Sequence, residues 1–242
     1  MRYLINISYD GSKFYGFQRQ DNLKTVQGSI EKALSKLDEK EVNIHASGRT
    51  DKGVHAKDQY AHFDLEKDVK LYNLQKYLNS SFDGEIYIKG IRIVDDSFHA
   101  RYNVKSKTYS YYINMGEFSP VDKDYVYQLC KNLNIEKMKK ASLFLIGKHD
   151  FRAYATDSND KENTIREILY IDFELNNNIL KVTFKGNGFL RKMIRNIIGA
   201  LIEIGLDNKN ENYLKEILES MARNGNLKCA PACGLYLEEV NY

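Results

Sequence analysis

Between residues 46 and 56 the chain reads Ala46-Ser47-Gly48-Arg49-Thr50-Asp51-Lys52-Gly53-Val54-His55-Ala56, which sets one carboxylate, Asp51, between the cations Arg49 and Lys52. Gly48 and Gly53 bracket the three charges and allow backbone φ values that other residues avoid, so a tight loop can project Asp51 and Arg49 from one short segment. A carboxylate presented in this way can act as a nucleophile toward an electrophilic carbon. The same residue types also make an ordinary connection, in which the Asp caps a turn or pairs with a neighbouring cation. Strand-like residues from Val42 to His45 and from Gln59 to Leu65 would give the loop a rigid base.

The elements that must hold this loop follow from periodicity. Arg2 to Tyr9 alternates as a strand and closes on Asp10-Gly11, a turn signal. Thr25 reads as the N-cap of a helix through Leu37 that places Val26, Ile30, Ala33, Leu34 and Leu37 on one side. A helix near Leu71 to Asn79 and a strand from Glu85 to Val94 come next. In a following strand Lys105, Lys107, Tyr109 and Tyr111 alternate onto one face, where cations can meet phosphate and rings can meet bases. Snorkelling lysines on an exposed strand give the same pattern without any ligand.

Pro120 and Asp122-Lys123-Asp124 mark the expected boundary between the halves, 1–118 and 119–242. The second half predicts a helix from Ile135 to Ile146, a polar loop from Asp157 to Asn163, and strands over Ile165 to Leu175 and Ile179 to Lys185 turning at Asn176-Asn177-Asn178. A helix from Phe189 to about Gly205 carries an apolar stripe with Arg191 and Arg195 on its border. A last helix from about Asn212 to Met221 leads to a closing strand from Leu235 to Val240. Each half mixes helices and strands in a β-α-β-β-like order, which suggests an α+β protein of two similar lobes whose sheets meet across a cleft.

Composition narrows the class of function. With 43% hydrophobic and 12% aromatic residues in 242, the chain can bury a packed core. Its longest apolar-rich run, Met193 to Leu206, is broken by Arg195, Asn196, Gly199 and Glu203, so no segment predicts a membrane span. The chain opens directly on a strand with no leader-type apolar core, which predicts a cytoplasmic protein. Three cysteines, Cys130, Cys229 and Cys233, argue against a disulfide framework; Cys229 and Cys233 lack a second ligand pair and read as buried thiols. The net charge of +3 points only weakly to nucleic acid. A metal-dependent hydrolase could use Asp51, His55 and His62, or His149 with Asp150, but no His-Glu-x-x-His and no dense carboxylate cluster occurs. His62 reads as a lone strand histidine, structural or facing a groove. Gly186-Asn187-Gly188 lacks both the lysine of a P-loop and the third glycine of a dinucleotide fingerprint.

The whole Ala46-to-Ala56 segment resembles the signature loop of the bacterial tRNA pseudouridine synthase A family. Ordered blocks along nearly the whole chain agree: Ser8-Tyr9-Asp10-Gly11 with Gly16-Phe17-Gln18, Thr25-Val26-Gln27, Phe98-His99-Ala100-Arg101, and Lys107-Thr108-Tyr109. Gly147-Lys148-His149-Asp150-Phe151, Gly186-Asn187-Gly188-Phe189-Leu190, Met193-Ile194-Arg195-Asn196, and Ala230-Pro231-Ala232 with Gly234-Leu235-Tyr236-Leu237 continue the series. The resemblance implies two ferredoxin-like or RRM-like lobes with mixed, mainly antiparallel sheets around a basic central cleft. It also implies an enzyme that isomerises uridines 38, 39 and 40 of the tRNA anticodon stem-loop, as a homodimer, with no metal and no other cofactor.

Residue by residue, the resemblance makes Asp51 the nucleophile, Arg195 its ion-pair partner, and Tyr109 the ring that stacks on the target base and can take a proton from it. Leu235 matches an apolar residue that walls the pocket, and Arg49 one that fills the place left by an extruded uridine. Read from pattern alone, Arg195 is a helix cation reaching solvent and Leu235 is core. Arg101, Lys105, Lys107, Lys185, Arg191 and Lys192 are the cations available to an RNA backbone, whose A-form major groove is too narrow for side chains to read. Lys185, Arg191 and Lys192 flank a predicted helix start, where the macrodipole disfavours cations and an anionic partner would relieve the conflict. The segment Arg152-Ala153-Tyr154-Ala155-Thr156-Asp157 departs from the family's wording, which keeps a paralogue acting on ribosomal RNA as the alternative. A non-catalytic RNA-binding module is a more distant one.

Overall fold

The computed structural model describes residues 1–156, 163–222 and 227–242. The polar loop expected from Asp157 to Asn163 lies outside the described residues but for Asn163. The fold is α+β with mostly antiparallel strand pairs, and it divides into two compact units, residues 1–105 with 236–242, and residues 106–235. The division therefore differs from the one expected at 118/119. Residues 106–114 form a strand hydrogen-bonded along its whole length to a partner in the second unit, and the C-terminal residues return to the first.

In the first unit, β1 (Arg2–Tyr9) is central. It pairs antiparallel with β3 (His55–Asp64) on one side and β4 (Ile86–Ile93) on the other. A two-residue β2 (His45–Ala46) also pairs antiparallel with β3. Two helices, α1 (Val26–Asp38) and α2 (Leu71–Ser80), belong to the same unit. The Thr25 side chain accepts a hydrogen bond from Gly28 N–H at 3.2 Å, which caps α1 as its sequence predicts. Tyr3, Ile5, Ile7, Ile30, Leu34, Phe63, Leu74 and Leu78 are all fully buried, and Tyr3 stacks on Phe63 at 5.6 Å.

Two expectations fail here. The strand predicted from Val42 shrinks to His45–Ala46, because Val42 N–H donates to Ser35 Oγ and Ile44 N–H to Glu31 Oε1. Side chains of α1 thus take the backbone donors a strand would have used. Conversely, β3 starts at His55, four residues before the predicted Gln59, where it gains a parallel partner in the C-terminal strand.

In the second unit, β5 (Ser106–Asn114) pairs with a short parallel β6 (Tyr127–Gln128). After α3 (Ile135–Ser142) come β7 (Gly147–Asp150), β8 (Ile165–Asn176) and β9 (Ile179–Gly186), in the antiparallel order β5-β9-β8-β7. The β8–β9 turn uses Asn177 and Asn178 at φ of 46° and 66°, the positive values that a tight two-residue hairpin demands. Helix α4 (Met193–Gly205) is buried over most of its length, and α5 (Tyr213–Ser220) packs near it. The helix predicted to open at Phe189 begins four residues later, because Lys192 sits in the left-handed region at φ 60° and breaks the turn ahead of it. The last strand, β10 (Leu235–Asn241), leaves the second unit at Leu235 and pairs parallel with β3 through Tyr236 and Leu237.

Candidate active-site loop and its supports

The Asp51 loop lies between β2 and β3 and is pinned from several sides by neighbours in its own unit. At its entry, Ser47 N–H donates to Tyr60 O at 2.7 Å, the Ser47 hydroxyl bonds to Gln59 Oε1, and Gln59 Nε2 donates to Gly48 O at 2.9 Å. At its middle, Phe17 N–H donates to Thr50 O at 3.1 Å, and the buried hydroxyls of Tyr9 and Thr50 bond at 2.8 Å. Burial holds the Tyr9 phenol well above its ordinary pKa, outweighing the hydrogen bonds that would lower it, so it stays a neutral hydrogen-bonding group. At its exit, Val54 N–H closes a turn onto Asp51 O at 3.1 Å, with Gly53 at φ 81°. Gly48, by contrast, is not among the glycines at positive φ.

Close backbone packing does the rest. A Cβ on Gly11 would overlap the Val54 carbonyl, and one on Gly16, itself at φ +98°, would lie 3.1 Å from Thr50 O, 3.2 Å from Lys52 N and 3.4 Å from the Asp51 carbonyl carbon. The segment after β1 is thus packed so closely against the loop that neither glycine leaves ordinary room for a side chain. Gly11 N–H donates to His55 Nδ1 at 3.1 Å, and His55 stacks on Tyr236 at 4.6 Å, which ties the loop's exit to β10. Asp51 itself is half-buried, Arg49 is exposed, and Lys52 Nζ rests 4.0 Å over the exposed Tyr15 ring. A half-buried carboxylate on a loop anchored this firmly suits attack on a carbon that must be approached along one line. The sequence singled out Gly11 and Gly16 only through the blocks they belong to; their packing role has no periodic signature.

The remaining residues fall in two sets. Arg101 and Lys105 are exposed in the first unit, between β4 and β5, and Lys105 N–H donates to Asn241 O at 2.8 Å. Lys107 and Tyr109 lie on β5 in the second unit, with Lys185 opposite Thr108 and Phe184 opposite Tyr109 on β9. Tyr109 is only 8% exposed and meets Phe189 edge-on at 5.4 Å. The ring face expected to alternate along β5 does not lie open: Tyr111 is fully buried and its hydroxyl donates to Pro231 O at 2.7 Å. Arg191 is exposed just ahead of α4, and Lys192 is its half-buried N-cap residue.

Arg195, in the first turn of α4, is held at both ends. Its Nε donates to Ala230 O at 2.7 Å, and its own carbonyl accepts Ala230 N–H at 3.0 Å. The close approach requires Gly199, one helical turn on, where any Cβ would overlap the Lys228 carbonyl. Pro231 is held by Tyr111, and Gly234 fits where a Cβ would come within 2.6 Å of Tyr112 O and 2.9 Å of Tyr111 Cζ. Residues 228–234 are thereby fixed against α4 and β5, and they deliver Leu235, 7% exposed, to the start of β10.

The cysteines correct an expectation. Cys130 and Cys229 are exposed and only Cys233 is partly buried, its thiol pushed up by that burial. Among the described residues no group of three or more His, Cys, Asp or Glu side chains is arranged to hold a metal ion, and no helix is long and apolar enough to cross a membrane. His149 Nε2 instead lies 2.9 Å from Ile146 O.

A family model described as tRNA pseudouridine synthase matches residues 5–103 and 141–242. The chain is 39% identical over 242 residues to a tRNA pseudouridine synthase A 2 of Bacillus cereus, covering 99% of both chains. It is 38% identical over 240 residues to the tRNA pseudouridine synthase A of Borrelia turicatae, covering 99% of this chain and 98% of that one. Among solved structures, a chain of a Cbf5-Nop10-Gar1 complex aligns with 83% of this chain and 45% of its own at a TM-score of 0.37 and 15% identity, too loosely to carry an argument. With both its halves matched and its whole length shared with such relatives, the chain belongs to the tRNA pseudouridine synthase family.

Proposed function

We propose that this protein is the isomerase that converts uridines 38, 39 and 40 of the tRNA anticodon stem-loop to pseudouridine, with Asp51 as nucleophile and no cofactor. The reaction breaks the bond from ribose C1′ to N1 of uracil, turns the base, rejoins it through C5, and releases the C5 proton to a base. Atoms and electrons balance within the nucleotide, so neither oxidant nor energy source is called for. The Asp51 carboxylate adds at C1′ or at C6, and both routes use the same side chain. The observation that carries the reading is the placement of Asp51, on a loop fixed at entry, middle and exit, in a chain related over its whole length to tRNA pseudouridine synthases.

Arg195 and Tyr109 enter the proposal by resemblance, the first as the ion-pair partner of the nucleophile and the second as the ring against the target base and the acceptor for the C5 proton. Leu235 excludes water, which protects the detached uracil from loss. Arg49 fills the stack that the uridine leaves, offsetting an extrusion cost of a few kcal/mol. Arg101, Lys105, Lys107, Lys185, Arg191 and Lys192 hold the RNA backbone, two copies of the chain act together, and the work is done in the cytoplasm. Pseudouridine mapping of total RNA with and without this protein tests the proposal. It predicts that pseudouridine disappears from tRNA positions 38 to 40 without the protein; loss confined to ribosomal RNA would overturn it.

A further inference from the structure

His62, on β3, is not the lone strand histidine its sequence suggested. Its ring stacks on His45 at 5.0 Å and meets His99 edge-on at 4.7 Å, and His99 packs on Tyr102 at 4.2 Å. Together they make a ladder of four flat rings that ends at Tyr102, 76% exposed, beside the Arg101 guanidinium. The first three rings line an open cleft of about 360 Å³ with Arg2, Glu41, Asn43 and Asp64. Its volume falls within the range of small-molecule pockets, which run from about 300 to 1,000 Å³. Along β3, His62 stands seven residues beyond His55, about 23 Å from the exit of the Asp51 loop at strand rise.

The hydrogen bonds assign the proton on two of these rings. His62 Nδ1 accepts Ala100 N–H at 3.1 Å and His99 Nδ1 accepts Arg101 N–H at 3.1 Å, so in the neutral rings the proton is on Nε2 in each case. His62 itself is only 2% exposed. Burial, with the neighbouring imidazoles and Arg2, holds His62 down to about 4 and also lowers His99, so both rings are neutral at physiological pH. Arg2 is committed to Asp64 through Nε and Nη2 and to the Phe98 carbonyl through Nη1. The cleft therefore offers flat imidazole faces, N–H donors from imidazole, and the remaining lone pairs of two carboxylates, Asp64, whose oxygens each accept one bond from Arg2, and Glu41, 3.6 Å from Arg19 Nη1. A phosphate would meet those two carboxylates; a metal ion would find the Nδ1 atoms of His62 and His99 already engaged. Unpaired bases are taken up by stacking on aromatic rings, His included, with hydrogen bonds to the base edge.

We propose that this cleft is a second nucleobase site, which receives an unpaired base of the RNA while Asp51 works on another nucleotide; that the base comes from the RNA substrate rests on the function proposed above. Bases with an amino-bearing edge, which can donate to Asp64 and Glu41, fit it better than uracil. The test follows the imidazole ring signals of His45, His62 and His99 by NMR during titration of the full-length protein with GMP, AMP, CMP, UMP and ribose 5-phosphate. Nucleotides should shift the His62 and His99 signals while ribose 5-phosphate does not, and Asn43→Ala combined with Glu41→Gln, both exposed positions, should weaken the response. Equal shifts from ribose 5-phosphate, or none from any nucleotide, would overturn the proposal and leave the ladder as packing. This arm needs no isomerisation, so it stands apart from the catalytic reading. In the kinetic arm the same double variant should raise KM for tRNA severalfold at unchanged kcat; an unchanged KM would refute the link to substrate RNA while the NMR result identifies a free-nucleotide site.

Discussion

Replacing Gly11 by alanine tests whether the backbone seat of the Asp51 loop sets its chemistry. The added methyl would overlap the Val54 carbonyl and lie 3.0 Å from the Gly53 carbonyl carbon, and no rotamer change can relieve a clash with main chain. Restoring ordinary carbon contact distances near 3.5 Å requires the two segments to part by more than about 1 Å. Overpacking of this kind costs about 1–3 kcal/mol, and the Gly11 N–H bond to His55 Nδ1, worth about 1 kcal/mol, is lost with it. Since a nucleophile displaced by about 1 Å loses on the order of 100-fold in rate, kcat for pseudouridine formation should fall by about that factor. The KM for tRNA should stay within about threefold, because the cations proposed to hold RNA lie elsewhere. Gly90→Ala is the matched control: the same methyl there meets nothing within 4 Å and should change neither kcat nor stability. Urea unfolding and single-turnover assays on both variants measure the two effects. A Gly11→Ala protein with kcat within about threefold of the parent would refute the argument that this contact positions the carboxylate.

Other perturbations follow from the same structure. Gly199→Ala forces residues 228–230 off α4, breaking both Arg195–Ala230 hydrogen bonds, and should cost about 2–4 kcal/mol in urea unfolding; a loss under about 1 kcal/mol would show that the helix tolerates the methyl. Tyr111→Phe removes the donor to Pro231 O and should cost about 1 kcal/mol in the same experiment, with no loss at all counting against the anchoring of this segment. For pH, the sign is set by His62, whose imidazole is held at about 4 against an ordinary value of 6.5. The unfolded chain then binds the proton first. Stability contributed by the neutral ring is whole above about pH 6.5 and falls as pH drops toward 4, by about 3 kcal/mol in all. Unfolding of the parent and of His62→Gln between about pH 7 and 4 should show a shallower slope in the variant, whereas parallel slopes would contradict the assignment.

Much of this architecture could be read from residue pattern because the relevant forces are local. Thr25 ahead of an apolar stripe announced α1, and Asn177-Asn178 between two alternating runs announced the β8–β9 hairpin. Where distant side chains intervene, pattern misleads. Val42 and Ile44 look like strand residues and are buried like them, yet Ser35 and Glu31 of α1 hold their backbone N–H groups. Lys192 looks like part of a helix, and its left-handed backbone delays α4 to Met193. The polar Gly147–Asp150 run forms the edge strand β7, which a search for alternating apolar residues passes over. At the site, the Asp51 loop was evident from its charges and glycines, but its anchors were not. Tyr9, Gln59 and the closely packed Gly11 and Gly16 act through contacts between segments far apart in the chain, as does the histidine cluster built from positions 45, 62 and 99.

Asp51→Asn is the most direct test of the proposed chemistry, since the amide keeps the size of the side chain while removing its nucleophilic oxygen. Unmodified tRNA is incubated with the parent or the variant, RNA binding is measured at equilibrium, and pseudouridine is counted in the digested RNA by mass spectrometry. The variant should bind tRNA within about threefold of the parent and form pseudouridine slower by several orders of magnitude. Pseudouridine formed by the variant at the parent's rate would contradict the account.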